Sequence, residues 1–261
     1  MNRSTVRRLA LLSAGAVSLA ACQTAPAPDA GFLSSYDGLE TKAGTLRVSV
    51  RDRRDEGLAA AIERLFIEPS QLAPGAAEGV APNDVALVLG EVDRQVCYEL
   101  SERFTVLEAP APDAAAVRVA VTRISPTEPV GSGLAAVAGA FIPGPIGIRP
   151  PGSTGTLAVE AELVAVDGAQ AAALAWARSA NVVGTDNPSL SRVGDALQFA
   201  EVFGDQVGDS FAPADRKVRP IAEPDPCARF GPRDQPGGFI TRLVTGLYVP
   251  ETQGVRAQPA R

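Results

Sequence analysis

The chain has no histidine among its 261 residues, and its single methionine is Met1. Imidazole is the base of Ser-His-Asp triads and Cys-His pairs, and it is a ligand in most catalytic zinc and non-haem iron sites. The sequence therefore excludes these reaction types. Carboxylates, with 30 Asp and Glu residues, are the only abundant acid–base groups left.

The sequence has no long apolar run near its N-terminus. The uncharged stretch from Leu9 to Ala21 has 13 residues, fewer than the roughly 20 that a spanning helix needs. Three arginines precede it, and it ends in Leu19-Ala20-Ala21-Cys22. A basic start, a short apolar stretch and small residues before a break are typical of a secretory signal, so we expect residues 1–21 to be a signal peptide.

The tetrapeptide from Leu19 to Cys22 fits the lipobox of bacterial lipoproteins, in which cleavage precedes a cysteine that carries a diacylglyceryl group. The alternative is an ordinary signal peptide followed by chance by a cysteine. We expect Cys22 to be the lipid attachment site and the first residue of the mature chain. Gln23, rather than aspartate, follows it, which favours the outer over the inner membrane, with the domain facing the periplasm.

The mature chain is expected to be acidic. Removal of Arg3, Arg7 and Arg8 with the signal peptide changes the net formal charge from −6 to −9. Such a chain repels nucleic-acid phosphates, so no nucleic-acid partner is expected. Membrane contact is expected through the acyl chains of Cys22, which contribute about 0.8 kcal/mol per buried methylene.

Residues 22–44 are rich in Ala, Pro, Ser and Gly, which predicts a lipidated tether. Within it, the segment Gly31-Phe32-Leu33-Ser34-Ser35-Tyr36-Asp37-Gly38-Leu39 stands out. It resembles the Gly-Phe-Leu-x-x-Tyr-x-x-Leu segment of the bacterial lipoproteins grouped as domain of unknown function 3313. The resemblance implies a compact periplasm-facing domain and transfers no activity. Phe32, Leu33, Tyr36 and Leu39 either dock the tether onto the domain or contact a ligand or partner.

Residues 45–211 have the patterns of an α+β domain. Alternating or short apolar runs predict strands over 45–50, 62–67, 117–121 and 157–163, and Asp167-Gly168 predicts a type I′ hairpin turn before a return strand over 171–183. Apolar residues at three- and four-residue steps predict helices over 84–103 and 193–211. We expect a single sheet of about five strands with a β-hairpin, covered by two amphipathic helices.

Two details of this fold are also expected. The alanines on one face of the return strand are expected to let a helix pack closely. The order of elements is similar, at the level of topology, to the small periplasmic domains of curli-secretion lipoproteins and of the amino-terminal part of TolB.

Residues 212–261 contain 8 of the 22 prolines, which predicts an irregular C-terminal arm. Phe239, Leu243 and Leu247 lie four apart, which predicts one short amphipathic helix that packs on the body, with a partner surface as the alternative. Cys97 and Cys227 are an even pair in an oxidising compartment and predict a disulfide; one buried and one loop cysteine is the alternative.

Glu160 and Glu162 lie two apart in a predicted strand and therefore share one face. They could be the paired carboxylates of a glycosidase-like cleft, but a solvated strand face has the same spacing and is the preferred interpretation. The glycine pair Gly131-Ser132-Gly133 lacks the lysine and third glycine of a phosphate loop. No pattern indicates a cofactor or metal site.

The segment between Glu128 and Arg149 contains no charged residue. Its large apolar side chains are Leu134, Val137, Phe141, Ile142, Ile146 and Ile148. Pro143 and Pro145 argue against a spanning helix. The segment is interpreted as a loop folded over the end of the core, as a contact with a membrane or another subunit, or as a ligand lid.

These patterns favour a membrane-anchored, periplasm-facing lipoprotein that acts as a non-enzymatic accessory or interaction module of the envelope. One alternative is an oligomeric assembly or lipid-carrier subunit that uses residues 131–148, so a protein partner or self-association stays open. The other is a carboxylate-dependent hydrolase.

Overall fold

The computed structural model describes residues 24–43, 47–127, 147–148, 154–181, 183–184, 186–233, 235–245 and 247–259. The expected signal peptide, the lipid attachment site Cys22 and the apolar side chains from Leu134 to Ile148 lie outside this description. Among the described residues, no helix is both long and apolar enough to cross a membrane.

The strands of the described chain form two sheets. The strands are β1 (Glu40–Thr41), β2 (Val48–Arg54), β3 (Arg64–Ile67), β4 (Gln71–Leu72), β5 (Thr105–Leu107), β6 (Ala115–Ser125), β7 (Gly147–Ile148), β8 (Thr156–Val164), β9 (Gln170–Ser179) and β10 (Val183–Gly184). The main sheet has eight strands in the order β1-β2-β9-β8-β6-β3-β5, with β4 also paired to β6. β7 and β10 form a separate antiparallel pair.

The main sheet is mixed. β1, β2, β9, β8 and β6 pair antiparallel, whereas β3 and β4 run parallel to β6, and β5 runs parallel to β3. The predicted α+β class is confirmed, but the predicted sheet of about five strands is too small. The strands that sequence reasoning missed in this sheet, β1, β4 and β5, have only two or three residues, too few to show a period of two.

The helices are α1 (Glu56–Ala61), α2 (Pro82–Ser101), α3 (Gly194–Phe211) and α4 (Pro236–Thr245). The two predicted long helices are α2 and α3, which run side by side over one face of the main sheet. α2 starts with Pro82 at its first position, where a proline removes no helical hydrogen bond. α3 ends before Pro213, and Arg54 donates hydrogen bonds to the carbonyl oxygens of Asp209 and Ser210 at its C-terminus.

The core lies between these helices and the sheet. Trp176 of β9 is buried against Phe203 of α3, with ring centroids 5.5 Å apart in an edge-to-face arrangement. The helices approach closely at Gly204, where a β-carbon would lie 2.9 Å from Gln95. The expectation that a helix packs on the alanine face of β9 is wrong: the helices cover the Trp176 face, because the large apolar side chains there bury more area than alanines do.

The β8–β9 hairpin is present, but its turn is not type I′. Gly168 has φ +86°, whereas no residue other than glycine has a positive φ in the described chain, so Asp167 does not. The Gly168 N–H donates to the Ala165 carbonyl at 2.9 Å. The connection is thus a turn closed by a left-handed glycine. Further from the turn, the register shifts between Leu163 and Val164, where Ala171 is the extra residue of β9.

The C-terminal arm lies along the side of α2 that faces away from the sheet. The predicted disulfide between Cys97 and Cys227 is confirmed. Arg94 donates to the Gln253 carbonyl at 2.9 Å, and a β-carbon at Gly90 would overlap the backbone of Arg256. The arm can pass this close to α2 only because residue 90 is a glycine.

The short helix of the arm is α4, but its apolar residues do not pack on the body as expected. Phe239 is 64% exposed and Leu243 is 74% exposed. Among the described side chains of this helix, the buried position is Gly238, where a β-carbon would overlap the side chain of Gln253. The physical reason is steric, because the glycines allow a closer approach than the large side chains would.

The disulfide is expected to be a major source of stability. It closes a loop across a sequence separation of 130 residues, for which the chain-entropy estimate is about 4–5 kcal/mol. Replacing both cysteines by alanine should lower the free energy of unfolding by up to this amount, as measured by urea denaturation. The wild-type protein in reducing agent should match the double variant. Equal stability of the oxidised wild type and the variant would contradict this expectation.

Repulsion between carboxylates lowers stability where α2 and α3 meet. Partial burial, together with Glu99, Glu201 and Asp209, raises the pKa of Asp205 from 3.8 to about 6. A raised pKa means that the folded protein binds this proton more tightly than the unfolded chain does. The contribution of Asp205 to stability is therefore full below pH 3.8 and is lost as the pH rises through about 6.

Asp205→Asn should consequently stabilise the protein at pH 7 and not at pH 3.5. Asp205 makes like-charged pairs with Glu201 and Asp209, each four residues away in α3. Such pairs cost about 0.2–0.5 kcal/mol each, and solvent screening at this exposed position limits the total gain to about 0.5–1 kcal/mol. Denaturation curves at the two pH values measure it. Asp215→Asn, at an exposed site outside the helices, is the control and should show no such pH-dependent gain.

Candidate functional site

The face of the main sheet opposite the helices is polar and carries the N-terminal segment. The residues on this face are alanines interspersed with charged side chains: Arg51 and Arg53 of β2, Ala173, Ala175 and Ala177 of β9, Glu160 and Glu162 of β8, and Arg118 of β6. We call these residues the docking face. Because the alanines leave a shallow floor, a chain segment can lie across it, and residues 24–39 do so.

Glu160 holds one part of this segment. Its carboxylate accepts hydrogen bonds from the backbone N–H of Ala30 at 2.8 Å and from the Tyr36 hydroxyl at 2.6 Å, with a longer contact to the N–H of Phe32 at 3.4 Å. The side chain is only 3% exposed. A buried carboxylate costs several kcal/mol unless it is hydrogen-bonded. The segment therefore compensates the charge of Glu160, and Glu160 in turn fixes the segment to the sheet.

Glu162 holds the next part. Its carboxylate accepts hydrogen bonds from the N–H and the hydroxyl of Ser34 at 2.8 and 3.0 Å and from the Gln170 amide at 2.8 Å. Arg118 on the neighbouring strand forms an ion pair with it at 2.5 Å. Glu162 is fully buried, and both of its oxygens have partners, so its negative charge is compensated on site.

Tyr36 folds the segment back on itself. Its hydroxyl oxygen accepts hydrogen bonds from the N–H groups of Gly31 at 2.7 Å, Phe32 at 3.0 Å and Leu33 at 3.3 Å, and it donates to Glu160. Burial, followed by the hydrogen bond to Glu160, raises the pKa of Tyr36, so the hydroxyl keeps its proton and stays a donor. The docking interpretation of the motif is therefore confirmed.

Phe32 and Leu33 fit the same role. Leu33 is buried, and the ring of Phe32 lies 5.2 Å from the guanidinium of Arg118. Gly31 and Gly38 have φ +79° and +73°, values that favour glycine, and they bracket the loop. The motif is thus a compact loop whose shape is set by one tyrosine and two glycines.

The first part of the segment is also fixed to the sheet. The Thr24 hydroxyl donates to the Arg47 carbonyl at 2.8 Å and accepts from the Ser179 N–H at 3.4 Å. Arg51 forms an ion pair with Asp29 and donates to the Ala27 carbonyl. Residues 24–39 therefore lie against the body instead of standing free of it.

The preferred interpretation of Glu160 and Glu162 as a solvated strand face is wrong. The two carboxylates share a face, as their spacing predicts, but both are buried beneath residues 30–36. Neither lines an open cleft. Sequence reasoning missed their partners because the segment and β8 are more than a hundred residues apart. The motif around Tyr36 was the sequence feature that could have indicated a partner for the carboxylates, because its backbone N–H groups are donors.

Two of the cavities that described residues line lie beside the middle of α2. A cleft of about 430 Å³ opens between α2, the end of β3 and the arm, with Phe66, Pro69 and Phe230 as apolar lining and Arg229 and Arg256 as basic lining. Its volume lies within the range of small-molecule pockets. Sequence reasoning did not single out these residues, because they come together only when the arm lies on α2.

The second cavity, of about 230 Å³, lies between α2, α3 and α4. Glu91 and Arg94 form an ion pair at 2.6 Å in its wall. Burial raises the pKa of Glu91, and the guanidinium of Arg94 opposes this shift. This pair is buried and links α2 to the arm through the bond from Arg94 to Gln253, so its role in the fold is to hold the arm.

Tyr36→Phe should loosen the N-terminal segment without unfolding the domain. The change removes the acceptor of three backbone N–H groups and a donor to the buried Glu160, a loss of about 1–3 kcal/mol. Hydrogen–deuterium exchange should rise at residues 30–34. Tyr98→Phe, which removes a hydroxyl that donates to the Gly231 carbonyl in the arm, is the matched control and should leave exchange at 30–34 unchanged. Unchanged exchange in both variants would contradict the role given to Tyr36.

Comparisons with known proteins identify a family but no activity. A family model described as "Protein of unknown function (DUF3313)" matches residues 28–207. No curated protein matches the chain. Among solved structures, the PelC dodecamer from Paraburkholderia phytofirmans is similar at 12% identity and a TM-score of 0.36, over 65% of this chain and 99% of that one.

A dodecamer of a PelC variant from the same organism is similar at 10% identity and a TM-score of 0.35, over 62% of this chain and 97% of that one. TM-scores this low carry no argument about assembly or activity. The family match is different in kind, because it spans more than half of the chain and includes the docked motif, α2 and most of α3. The chain belongs to the DUF3313 family of proteins of unknown function.

Proposed function

We propose that this protein is a lipid-anchored protein of the outer membrane, attached through acylated Cys22, whose domain faces the periplasm as a non-enzymatic accessory or interaction module. The observation that carries the proposal is the docked N-terminal segment. A flexible tether would make no fixed contacts with the sheet, whereas residues 24–36 are hydrogen-bonded to it.

The docked segment gives the anchor a defined position on the domain. Thr24 is bonded to Arg47 and Ser179, at the end of the sheet where β2 begins and β9 ends. We call this the anchor end. Only Gln23 separates Thr24 from Cys22 in the sequence, so a lipid on Cys22 would be attached to the chain two residues from the anchor end. Acyl chains on Cys22 would therefore hold the anchor end directly at the membrane surface.

The disulfide supports an extracytoplasmic location. Cys97 and Cys227 are joined, and such bonds persist in the periplasm and other oxidising compartments. With Cys22 as the lipid carrier, all three cysteines of the chain have a role.

A non-enzymatic role is supported by what the acid–base groups do. The chain has no histidine, and the carboxylate pair that a hydrolase could have used is occupied in docking the N-terminal segment. The alternative of an assembly or lipid-carrier subunit depends on residues 131–148, most of which lie outside the described chain.

Lipidation can be tested by following the protein in a Gram-negative host. The wild type should sediment with the outer membrane and incorporate an alkyne-labelled fatty acid. Cys22→Ser, combined with an ordinary cleavable signal peptide in place of residues 1–21, should be soluble in the periplasm and unlabelled. The replaced signal peptide matters because an uncleaved one would itself hold the chain in a membrane.

Mass spectrometry of the N-terminal peptide is the direct readout, since it reports the acyl groups on Cys22. A wild-type chain that carries no lipid, or a Cys22→Ser chain that stays in the membrane fraction after its signal peptide is removed, would refute the proposal.

A further inference from the structure

The outward side of α4 presents large apolar side chains to solvent. Phe239 is 64% exposed, Ile240 57%, Leu243 74% and Val244 76%. Spacings of one, four and five residues place these four on one side of a helix. We call them the apolar face of α4. Single exposed apolar residues are common, but a contiguous group on one helix marks a contact surface.

The packing of α4 fixes this outward orientation. Gly237 and Gly238 lie against the 3₁₀ turn Pro250–Gln253, and a β-carbon at Gly238 would overlap Gln253. The helix thus buries Gly238 and exposes Phe239, Ile240, Leu243 and Val244, the reverse of the usual arrangement in a soluble domain. A register that buried the large side chains would require the glycines to face solvent and would leave the close contact with Gln253 unmade.

The composition of α4 suits a lipid surface. Pro236–Thr245 contains no acidic residue, and Arg242 is its one charged residue, although the chain as a whole has a net charge of −6. A short helix with an apolar face and no negative charge can lie in the interface of a bilayer, with its apolar side chains about 5–10 Å deep.

The position of α4 connects it to the lipid-bearing end of the chain. Shortly after α4, the Tyr248 N–H donates to the Pro188 carbonyl at 2.9 Å, and the Ser189 hydroxyl donates to the Tyr248 carbonyl at 2.8 Å. Ser189 packs on Gly194 at the start of α3. The C-terminal end of α4 therefore leads to the same end of the domain as the N-terminus of α3.

That end is the anchor end. Asp195, the second residue of α3, accepts a hydrogen bond from the Gly155 N–H at 2.7 Å, and the Gly155 carbonyl accepts one from Ala180 at 3.0 Å. Ala180 follows Ser179, which is bonded to Thr24. Leu190, next to Ser189, is 60% exposed at this end as well.

We propose that the apolar face of α4 and Leu190 insert into the same leaflet that holds the acyl chains of Cys22, so that the domain is fixed to the membrane at two points. This inference rests on the proposed lipid anchor. It favours a bilayer over a second copy of the chain as the occupant, because Cys22 brings lipid to this end of every molecule and keeps it there at a high effective concentration.

The test places a fluorescent probe on the apolar face of the intact lipoprotein. Leu243→Cys is labelled with an environment-sensitive nitrobenzoxadiazole group; the native disulfide and the acylated Cys22 leave no other free thiol. The matched control is Val166→Cys, which is 62% exposed in the β8–β9 hairpin, at the opposite end of these strands. Both are reconstituted in phosphatidylcholine vesicles with and without brominated acyl chains.

The probe at position 243 should shift its emission to shorter wavelength in vesicles and be quenched by the brominated lipid, and the probe at 166 should do neither. A probe at 243 that is quenched no more than the probe at 166 would overturn the inference. So would shielding of position 243 that depends on protein concentration in the absence of lipid, because a second copy would then be the occupant.

A second measurement removes the acyl anchor from the comparison. The unlipidated Cys22→Ser chain should bind phosphatidylcholine vesicles weakly, and changing both Leu243 and Val244 to serine should lower its partition coefficient about tenfold or more. These side chains are 74% and 76% exposed, so the fold should be unaffected, as near-ultraviolet circular dichroism checks. Equal partition of the two chains would count against insertion.

The two proposals fail in different ways. A wild-type chain without acyl groups on Cys22 refutes the anchor and, with it, the inference that rests on it. A lipidated chain that floats with the vesicles while position 243 stays in water refutes the insertion of α4 alone.

Discussion

Two buried carboxylates on β8 set the organisation of this protein. Glu160 and Glu162 lie in the middle of the main sheet, where an uncompensated charge would cost several kcal/mol. Their compensation comes from the backbone N–H groups and side chains of residues 30–36, and Arg118 on the neighbouring strand forms an ion pair with Glu162. The open face of the sheet is therefore stable only when the N-terminal segment covers it.

This constraint gives the two faces of the sheet different partners. The face with Trp176 and Leu174 is apolar and is covered by α2 and α3, whereas the face with the alanines and the two glutamates is covered by an irregular segment. Alanines give little area for hydrophobic burial but allow a backbone to come within hydrogen-bonding distance of the carboxylates. The size and charge of the side chains on each face thus determine whether helices or the N-terminal segment cover it.

The arm adds a third layer, on the outside of α2. A disulfide, the contact at Gly90 and the buried pair of Glu91 and Arg94 hold it there. Because the arm occupies this position, the large side chains of α4 are left facing outward at the end of the molecule where Thr24 contacts the sheet. The segment that begins at Thr24 and the apolar face of α4 are thus brought to one end by parts of the chain more than two hundred residues apart.

The sequence by itself determined the fold class, the two long helices and the five longer strands, because each has enough residues to show its own period. It also determined the family resemblance and the lack of imidazole chemistry, and it indicated the pairing of Cys97 with Cys227. Only the tertiary structure decided the size of the sheet, the burial of Glu160 and Glu162, and the outward face of α4. The reason is that these features depend on contacts between segments that are distant in the sequence. Neither the periodicity of apolar residues nor the composition indicates which segment covers which face of the sheet.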